Sequence, residues 1–542
     1  MINRITGEAF IGMVRYGVNH LDKNRALIND LNVFPVPDGD TGTNMVMTMR
    51  NGLQAVPATV DDLSSAAMSF ANATVFGARG NSGVIVSQFF KGIAEGLRDV
   101  AVADCATFAR ALASGSSFAY AAVANPVEGT ILTVIKDASS AVNDRISQIN
   151  SMEELTAVFL EEATRSLNNT PNLLPILAKA GVVDSGGAGL VCFVEGVQRY
   201  LNGEEPEEIE ESAPATPHVD YTAFDRNSNF EYGYCTELLL QLTVEPTAFN
   251  YKVFVSKLQR LGDSVATSLE VDKVKLHVHT KRPEQILEFC HRFGEFLSLK
   301  IENMSVQHTQ TTQKFLCSKN QSTGRFAVVA VAPNALLQNM LADMGADVVI
   351  MSEEAPSSQD FIEAFEQVSA PCILVFPNSS NSILSAMQAG SLYKKARALI
   401  LNCRSIAQCY SALAIIDYDD SDIGGLVNTV NDTIHNLYEV DIAHATKNVT
   451  YGNKKIVKND YFSMSGDDVL FTADKIEDVV LRTVQEVVYK QDCSVLTMFY
   501  GKSLSQEKIE QLTATLENLN YDIEISTIPT QDPIYDLVLS FE

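Results

Sequence analysis

The chain has 542 residues, of which 46% are hydrophobic and 20% charged, which is the balance of a soluble globular protein. This length predicts about three to four domains of roughly 150 residues each. The formal net charge of −27 argues against unaided binding to nucleic acid or to an anionic membrane, because both carry the same sign of charge as the protein.

The N-terminal segment MINRITGEAFIGMVRYGVNH is polar early and lacks the compact apolar core and the small-residue cleavage site of a signal peptide. No stretch approaches the ~18 apolar residues of a membrane span. The nine cysteines are an odd number and have no repeating spacing, so they do not indicate a disulfide framework. We therefore expect a reduced protein of the cytoplasm, without an integral membrane segment.

Residues 1 to about 200 have the hydrophobic periodicity of helices. In the first of them, Phe10, Val14, Val18 and Leu21 form one apolar stripe, with spacings of four and three. Few segments of this region alternate with the strand period of two, so we predict a bundle of about eight helices over residues 1–202. The other predicted helices lie near 45–54, 62–75, 82–98, 105–124, 129–144, 152–167 and 186–201.

The rest of the chain divides by composition. The acidic, proline-containing stretch GEEPEEIEESAPATP begins a predicted linker over residues 203–227. Residues 228–308 then follow the order β-α-β-β-α-β, which is the ferredoxin-like pattern of an α+β domain. After a second polar linker at 309–324, residues 325–542 contain short apolar strands, each followed by a helical segment. This alternation predicts an α/β domain with a largely parallel sheet.

The stretch PVPDGDTGTN, residues 35–44, places two carboxylates close together, at Asp38 and Asp40. An ordinary turn, a calcium loop and a magnesium–nucleotide site are three interpretations. The calcium loop fails, because the twelfth position of an EF-hand loop must be acidic and Met49 stands there. A turn alone does not explain two like charges two residues apart, which are unfavourable without a cation. Magnesium is such a cation, since it takes few carboxylates and leaves positions for water and phosphate oxygens.

Three further loops in the helical region open helices with glycine or hydroxyl residues: FGARGNSGVIVSQFFKG, NPVEGTILTVIKD and VVDSGGAGLVCFVEG. Each alone is more often a tight helix connection, but four such starts in one small domain favour a phosphate site, because helix N-termini offer N–H groups and a positive dipole. No loop ends in Gly-Lys-Ser/Thr, so there is no Walker A motif and Arg79 would assist. The residues singled out at these starts are Thr43, Asn44, Asn81, Ser82, Gly83, Thr130, Asp184 and Gly186.

The segments VFPVPDGDTGTNM, GARGNSGVIVSQ, NPVEGTIL and AGVVDSGGAGL resemble, in this order, the signature segments of the dihydroxyacetone-kinase ATP-binding fold. More specifically, they resemble the N-terminal domain of the bacterial fatty acid kinase catalytic subunit. The resemblance implies an all-helical barrel in which Asp38 and Asp40 bind two magnesium ions that bridge the phosphates of ATP, with Asn32 completing the set. It also implies a nucleotide-side set of Thr43, Asn44, Ser82, Gly83, Thr130 and Asp184.

A second candidate metal site lies in the middle region. KLHVHT places His277 and His279 on one face of a predicted strand, and Cys235, in YGYCTE, lies on the strand that a ferredoxin-like sheet would place beside it. One cysteine and two histidines can bind zinc, although such a histidine pair is more often structural or on the surface. The middle segment also resembles the fatty acid kinase family, in which YCTE and HVHT carry zinc. This implies a structural or partner-facing zinc site, with water or Glu237 as a fourth ligand.

The residues after 325 resemble the C-terminal region of the same family, which is related to the dihydroxyacetone-binding subunit. VFPNSSNSILSA corresponds to an asparagine-rich segment, but Asn378-Ser379 stands in place of a double asparagine, and MSEE replaces paired glycines in VVIMSEEAPSSQDFI. The resemblance implies a homodimer that docks a separate DegV-type fatty-acid-binding protein. The histidines after 325, His435 and His444, lie away from the place of a covalent dihydroxyacetone adduct, which counts against a free triose substrate.

The leading hypothesis from this resemblance is a kinase that transfers phosphate from ATP to a fatty acid carboxylate held by the partner, giving an acyl phosphate for phospholipid synthesis. A carboxylate is already ionised at neutral pH, so no general base is required, and the glycine-rich loops contain no histidine. The second hypothesis is a kinase for a small polyol such as dihydroxyacetone (glycerone). The third is a non-catalytic scaffold that senses ATP.

Overall fold

The structure is a computed structural model of the whole chain. It describes residues 3–32, 39–57, 60–204, 234–243, 249–270, 272–303, 314–317, 324–418, 422–445, 448–451, 454–466, 468–491, 493–519 and 521–542. These form two compact units, one made of residues 1–209 together with 316–542, the other of residues 210–315. None of the described helices combines the length and the apolarity needed to cross a membrane.

The first part of the large unit is helical, as the periodicity predicts. The apolar stripe of the first helix is buried, and Thr6 caps that helix by accepting a hydrogen bond from the N–H of Ala9 at 3.3 Å. Two six-residue helices, α2 and α9, were not predicted, because so short a segment shows little periodicity. The helices are α1 (Gly7–Lys23), α2 (Arg25–Asp30), α3 (Thr41–Ala55), α4 (Leu63–Phe76), α5 (Gly80–Gly96), α6 (Cys105–Ala121), α7 (Ile131–Arg145), α8 (Met152–Leu173), α9 (Pro175–Ala180) and α10 (Ser185–Leu201).

The core of this helical part is built from α1 to α8 and α10. Phe70 and Phe90 meet edge to face with ring centroids 4.9 Å apart, and Phe90 meets Phe193 in the same way at 5.7 Å. A two-stranded ribbon, β1 (Arg4–Ile5) with β2 (Ala103–Asp104), joins the start of the chain to the start of α6. The helix starts that carry the glycine-rich loops are therefore held by one rigid apolar core.

The small unit contains one four-stranded antiparallel sheet with strand order β4-β5-β3-β6. Alternate residues of β3, including Leu238 and Leu240, are buried, and Phe254 of α11 packs in the same core. In the register of β3 with β5, Cys235 lies opposite His279 and Glu237 opposite His277. The elements are β3 (Tyr234–Leu242), α11 (Tyr251–Leu261), β4 (Asp263–Glu270), β5 (Lys273–Thr280), α12 (Pro283–His291) and β6 (Gly294–Asn303).

The remainder of the large unit begins with a five-stranded sheet of order β11-β10-β8-β9-β7, in which β8, β9, β10 and β11 pair in parallel. The strand β7 falls within the segment 309–324 that the sequence marks as a linker. The strands are β7 (Phe315–Cys317), β8 (Phe326–Ala332), β9 (Val348–Met351), β10 (Cys372–Phe376) and β11 (Arg397–Ile400). The helices are α13 (Ala335–Asp343), α14 (Ser358–Phe365), α15 (Ser380–Leu392), α16 (Ile406–Ala414) and α17 (Ile423–Asn436).

A second sheet, of order β16-β15-β12-β19-β17-β18, completes the α/β part. Only β17 and β18 pair in parallel among its described ladders, so the expected parallel arrangement holds for the first sheet and not for this one. For β15 and β16 the reason is that only two residues separate them in sequence, which is too few for the crossover that parallel strands need. The elements are β12 (Tyr438–His444), β13 (Val449–Tyr451), β14 (Lys454–Ile456), β15 (Tyr461–Ser465), β16 (Asp468–Ala473), α18 (Ile476–Lys490), β17 (Val495–Tyr500), α19 (Gln506–Glu517), β18 (Glu524–Pro529) and β19 (Leu537–Phe541).

Candidate nucleotide and metal site

Asp40 is the residue that immediately precedes α3, while Asp38 lies outside the described residues. The backbone carbonyl of Asp40 accepts a hydrogen bond from the N–H of Asn44 at 2.8 Å. Burial raises the pKa of the Asp40 carboxyl above its ordinary value, against the opposing effect of a hydrogen bond from the Asn44 side chain. A carboxylate that is buried in this way gains from a nearby cation.

The start of α3 is capped by a residue that the sequence did not single out. The side-chain oxygen of Asn29 accepts hydrogen bonds from the N–H groups of Gly42 at 2.7 Å and Thr43 at 3.2 Å, and its amide nitrogen donates to Thr43 Oγ1 at 3.0 Å. Asn32 follows in the turn after α2, and its N–H donates to the Asn29 carbonyl at 3.0 Å. The N–H groups of Gly42 and Thr43, in the first turn of α3, therefore already have a hydrogen-bond partner within the protein.

The start of α10 is also capped from within. Asp184 Oδ2 accepts a hydrogen bond from the N–H of Gly187 at 2.7 Å. Burial raises the pKa of Asp184 to about 6. Thr41 Oγ1 and Ser185 Oγ lie 3.1 Å apart and share a hydrogen bond, which brings the starts of α3 and α10 together.

The starts of α5 and α7 differ, because neither is capped by the side chain of its own N-cap residue. Thr130 stands at the cap position of α7, but its hydroxyl donates to the carbonyl of Val127 at 2.8 Å. At α5, Gly80 has φ +61°, and a Cβ on this residue would run into the side chain of Asn44. Gly83, in the first turn, packs against Thr48 in the same tight fashion. The N–H of Ile131, the first residue of α7, donates to the Asp184 carboxylate, so the other first-turn N–H groups of α5 and α7 are left for a ligand or for water.

A cavity of about 870 Å³ lies between the helical part and the α/β part of the large unit. Five of the residues predicted from sequence line it, namely Asn81, Ser82, Thr130, Asp184 and Gly186. The opposite wall comes from α15 and from β11 with the loop after it, and is largely apolar. Its residues are Ile383, Leu384, Met387, Gly390, Ser391, Ala398, Leu399, Ile400, Leu401, Asn402 and Arg404.

Asn381, in the first turn of α15, connects Asp40 to this cavity. Its side-chain nitrogen donates to the Asp40 carboxylate oxygens at 3.3 Å and 3.2 Å, and its side-chain oxygen accepts from Asn81 Nδ2 at 3.5 Å. Asp40, Thr43, Asn44 and Gly83 are buried or half-buried beside the cavity rather than in its wall. The predicted metal-binding and nucleotide-binding residues are thus joined through a side chain of the α/β part.

Arg79, which was predicted to assist with phosphates, faces the α/β part. Its Nη1 lies 3.6 Å from Asp360 Oδ2 and donates a hydrogen bond to the Ala355 carbonyl at 3.1 Å. The N–H of Ser358 donates to the Ala78 carbonyl at 3.1 Å in the same contact. In this arrangement the guanidinium stabilises the junction of the two parts, and a role toward phosphate stays a prediction.

The donor set around Asp40 fits a hard cation. Asn44 is 2% exposed, and its Oδ1 is a buried oxygen without a hydrogen-bond partner in the described part of the chain. Oxygen ligands of this kind, next to a carboxylate, are those that magnesium accepts.

Two other groups of residues have side chains of the types that bind metal ions. The side chains of Cys235, His277 and His279 lie outside the described part of the structure, so the predicted zinc site rests on the strand register alone. Among the described side chains, His20, Cys192 and Glu195 bring ligand atoms within 4.8 Å of one another between α1 and α10. His20 Nε2 lies 3.4 Å from Glu195 Oε2, which is a polar contact between two packed helices.

Comparison with protein families assigns each part of the chain. Three family models match: the DAK2 domain over residues 35–199, the middle domain of FakA-like fatty acid kinase proteins over 231–311, and the C-terminal domain of the same FakA-like proteins over 327–542. Protein YloV of Bacillus subtilis is 32% identical over 554 aligned positions, which cover 100% of both chains. The chain belongs to the FakA-like fatty acid kinase family. The resemblance found in the sequence motifs is thereby confirmed.

Solved structures give weaker similarities for this family member. Dihydroxyacetone kinase from C. freundii, in complex with AMP-PNP and Mg²⁺, aligns with TM-score 0.32 and 13% identity, covering 42% of this chain and 50% of that one. A fatty-acid-binding DegV family protein from Thermus thermophilus aligns with TM-score 0.32 and 12% identity, covering 40% and 99%. At such TM-scores neither similarity indicates what this chain binds.

Proposed function

We propose that this chain is an ATP-dependent kinase that phosphorylates the carboxylate of a fatty acid presented by a DegV-type fatty-acid-binding protein. The product would be an acyl phosphate for phospholipid synthesis. The observation that carries the proposal is the cavity onto which α5, α7 and α10 open, in a chain of the FakA-like fatty acid kinase family. The two magnesium ions, the homodimer and the cytoplasmic location expected from the sequence are parts of the same proposal.

The size and lining of the cavity support binding of a nucleotide. Its volume of about 870 Å³ lies within the range of ligand pockets. The first turns of α5 and α7 provide N–H groups and the positive ends of two helix dipoles. We assign Asn81, Ser82 and Thr130 to the nucleotide on this basis, with Asp184 and Gly186 completing the wall at α10.

Magnesium would be held by Asp40, with Asp38 and Asn32 as the further ligands expected from the sequence. When bound, it supplies positive charge against the phosphates of ATP. Asn381 and Asn44 orient the Asp40 carboxylate through their amide groups. Because burial raises the pKa of Asp40, the amide donors also help to keep it ionised.

The reaction itself makes small demands on the protein. A carboxylate oxygen of the fatty acid attacks the γ-phosphorus of ATP in line, the bond from that phosphorus to the β,γ-bridging oxygen breaks, and ADP leaves with the electron pair. No proton is transferred, because the acceptor is ionised at neutral pH. The rate therefore depends on positioning and on stabilising charge around the phosphoryl group, which the helix starts can provide.

We also infer that the small unit is ferredoxin-like and binds zinc. The strand order β4-β5-β3-β6 supports the first part. The opposition of Cys235 to His279 and of Glu237 to His277 supports the second, since opposed and alternate positions share one face of an antiparallel sheet. Zinc content of the purified chain, measured against a Cys235→Ser variant, tests this site separately from the kinase.

An acyl-phosphate trap tests the main proposal. The purified chain is mixed with Mg·ATP and a DegV-type protein from the same genome loaded with a fatty acid, and hydroxylamine converts any acyl phosphate to a hydroxamate. We expect hydroxamate only when both proteins are present. Dihydroxyacetone in place of the loaded partner serves as the control acceptor. Phosphorylation of dihydroxyacetone without hydroxamate would replace the proposal with a polyol kinase, and nucleotide binding without either product would indicate the scaffold.

A further inference from the structure

The α/β wall of the cavity carries a single positively charged side chain among its described residues, that of Arg404. Arg404 follows β11 and is exposed to the cavity. Its backbone N–H donates to Gln408 Oε1 at 2.7 Å, and its Nε donates to Asn402 Oδ1 at 3.2 Å. These contacts fix the start of the side chain. The two terminal nitrogens, Nη1 and Nη2, have no hydrogen-bond or ion-pair partner in the described part of the protein.

We propose that Arg404 and Asn381 form an oxyanion subsite on the α/β part, which binds the phosphates of the nucleotide held by the helical part. The inference rests on the proposed function and extends it to a domain to which no nucleotide contact has been assigned. The ligand chemistry is a phosphate oxyanion, bound by the fork of the guanidinium and by the amide of the asparagine.

The topology brings these two residues to one edge of the five-stranded sheet. β10 and β11 are parallel neighbours, with Val375 opposite Ile400, so the segments that follow them emerge on the same side. Cys403 Sγ and Asn378 Oδ1 lie 3.1 Å apart and tie the two segments together. Ligands of α/β sheets bind at this carboxyl edge. Asn381 already reaches Asp40 there, which sets the subsite beside the predicted metal ligand.

The negative charge around the cavity favours a positively charged residue in its wall. The protein carries a net charge of −27, and Asp184 is the acidic residue of the cavity lining. A nucleotide triphosphate would add further negative charge. Arg79 lies 3.6 Å from Asp360, whereas Arg404 is not paired with any described carboxylate.

Binding of Mg·AMP-PNP to the full-length chain, measured by calorimetry without fatty acid or partner protein, tests the subsite. We expect Arg404→Gln to weaken binding about tenfold or more, because hydrogen bonds to charged groups contribute ~1.5–3 kcal/mol and ~1.4 kcal/mol is tenfold. Arg404→Lys should restore part of the loss. The loss should shrink from AMP-PNP to ADP to AMP, as phosphates are removed.

Arg397→Gln is the matched control, since Arg397 lies at the other end of β11, is exposed and does not line the cavity. It removes the same charge from the strand that leads to Arg404 and should leave nucleotide affinity unchanged. Circular dichroism and thermal unfolding of each variant show that it is folded.

The inference would be overturned if the Arg404→Gln variant bound Mg·AMP-PNP as tightly as the wild type does. An unchanged nucleotide affinity with a raised KM for the loaded partner would also overturn it, because Arg404 would then bind the acceptor carboxylate. An Arg404-dependent nucleotide affinity in a chain that forms no hydroxamate would support the subsite and refute the acyl kinase. The two proposals can therefore fail independently.

Discussion

The two walls of the cavity offer a ligand different chemistry. The helical wall presents the first turns of α5 and α7 and the carboxylate of Asp184. The α/β wall presents apolar side chains of α15 and β11, with Asn381 and Arg404 at its edge. Helix dipoles attract phosphates and carboxylates bind metal ions, whereas the α/β wall offers mainly apolar contacts. Removing a group from the first wall should therefore cost more activity than removing one from the second.

Asp40 and Asn381 lie beside the cavity and contact each other, one from the helical part and one from the α/β part, so they give the sharpest form of this comparison. Asp40→Asn should lower hydroxamate formation by at least about 100-fold, since even partners that orient a metal ligand are worth about 10- to 100-fold. Asn381→Ala should cost about tenfold and should raise the magnesium concentration needed for half-maximal rate. Rates measured over a magnesium titration separate the two effects.

Thermal unfolding of the Asp40→Asn variant is the control for the loss of activity. Because burial raises the pKa of Asp40, removing the charge should not lower the midpoint of thermal unfolding. Equal activity losses in the two variants would show that the walls contribute alike. A fully active Asp40→Asn variant would refute the metal assignment.

The contact between the helical and α/β parts depends on the ion pair of Arg79 and Asp360. Losing this pair should have the next largest effect. The Asp360 side chain is 7% exposed and Arg79 is its ion-pair partner at 3.6 Å. Arg79→Ala should lower the free energy of unfolding in denaturant by about 1–3 kcal/mol, because a buried carboxylate loses its counter-charge. In a double-mutant cycle, Asp360→Asn should recover part of this loss.

Arg98→Ala is the matched control for Arg79→Ala. Arg98, just after α5, pairs with Glu95, but its side chain is 60% exposed, so its removal should lower stability far less than the removal of Arg79. Equal losses for Arg79 and Arg98 would mean that the junction contributes no more than a surface ion pair.

The sequence predicts the helical wall far better than the α/β wall. The motifs around Ser82, Thr130 and Asp184 are contiguous, and each combines a turn with a helix start, so local chemistry is enough to find them. The apolar stripe of α1 is likewise a local pattern and is buried as expected. By contrast, Asn381 meets Asp40 across 341 positions of sequence, and no local signal marks that contact.

Other elements were missed for physical reasons of the same kind. Asn29 caps α3 from 13 positions upstream of Gly42, through a tertiary contact rather than a capping motif. In the second sheet, the antiparallel order depends on which strands pair, and apolar strand segments alone do not specify this. Arg404 follows the short strand β11, where no local pattern marks it, so its place in the cavity wall is visible only in the fold.

Asp184 of the helical wall gives the smallest predicted effect, which is one of stability against pH. Its pKa is about 6 in the folded protein against an ordinary value of 3.8, so the folded state binds the proton more tightly than the unfolded state. Stability should therefore fall as the pH rises from about 4 to 6, and stay lower above that range. Asp184→Asn keeps an acceptor for the Gly187 N–H and removes the charge. We expect it to be more stable than wild type by about 1–2 kcal/mol at pH 7, and equal at pH 4.

Asp104 provides the opposite case on the same scaffold, which makes it the control for this prediction. It caps α6 by accepting from the Thr107 N–H at 2.8 Å, but it is exposed, and these hydrogen bonds lower its pKa below 3.8. The sign is then reversed, because this carboxylate stabilises the fold at neutral pH and the contribution is lost as the pH falls through its folded-state pKa. Asp104→Asn should thus be no more stable than wild type at pH 7. Unfolding midpoints of both variants at pH 4 and pH 7, without nucleotide, check the pair. If both substitutions change the unfolding midpoint in the same direction at pH 7, burial is not the reason that the charge of Asp184 lowers stability.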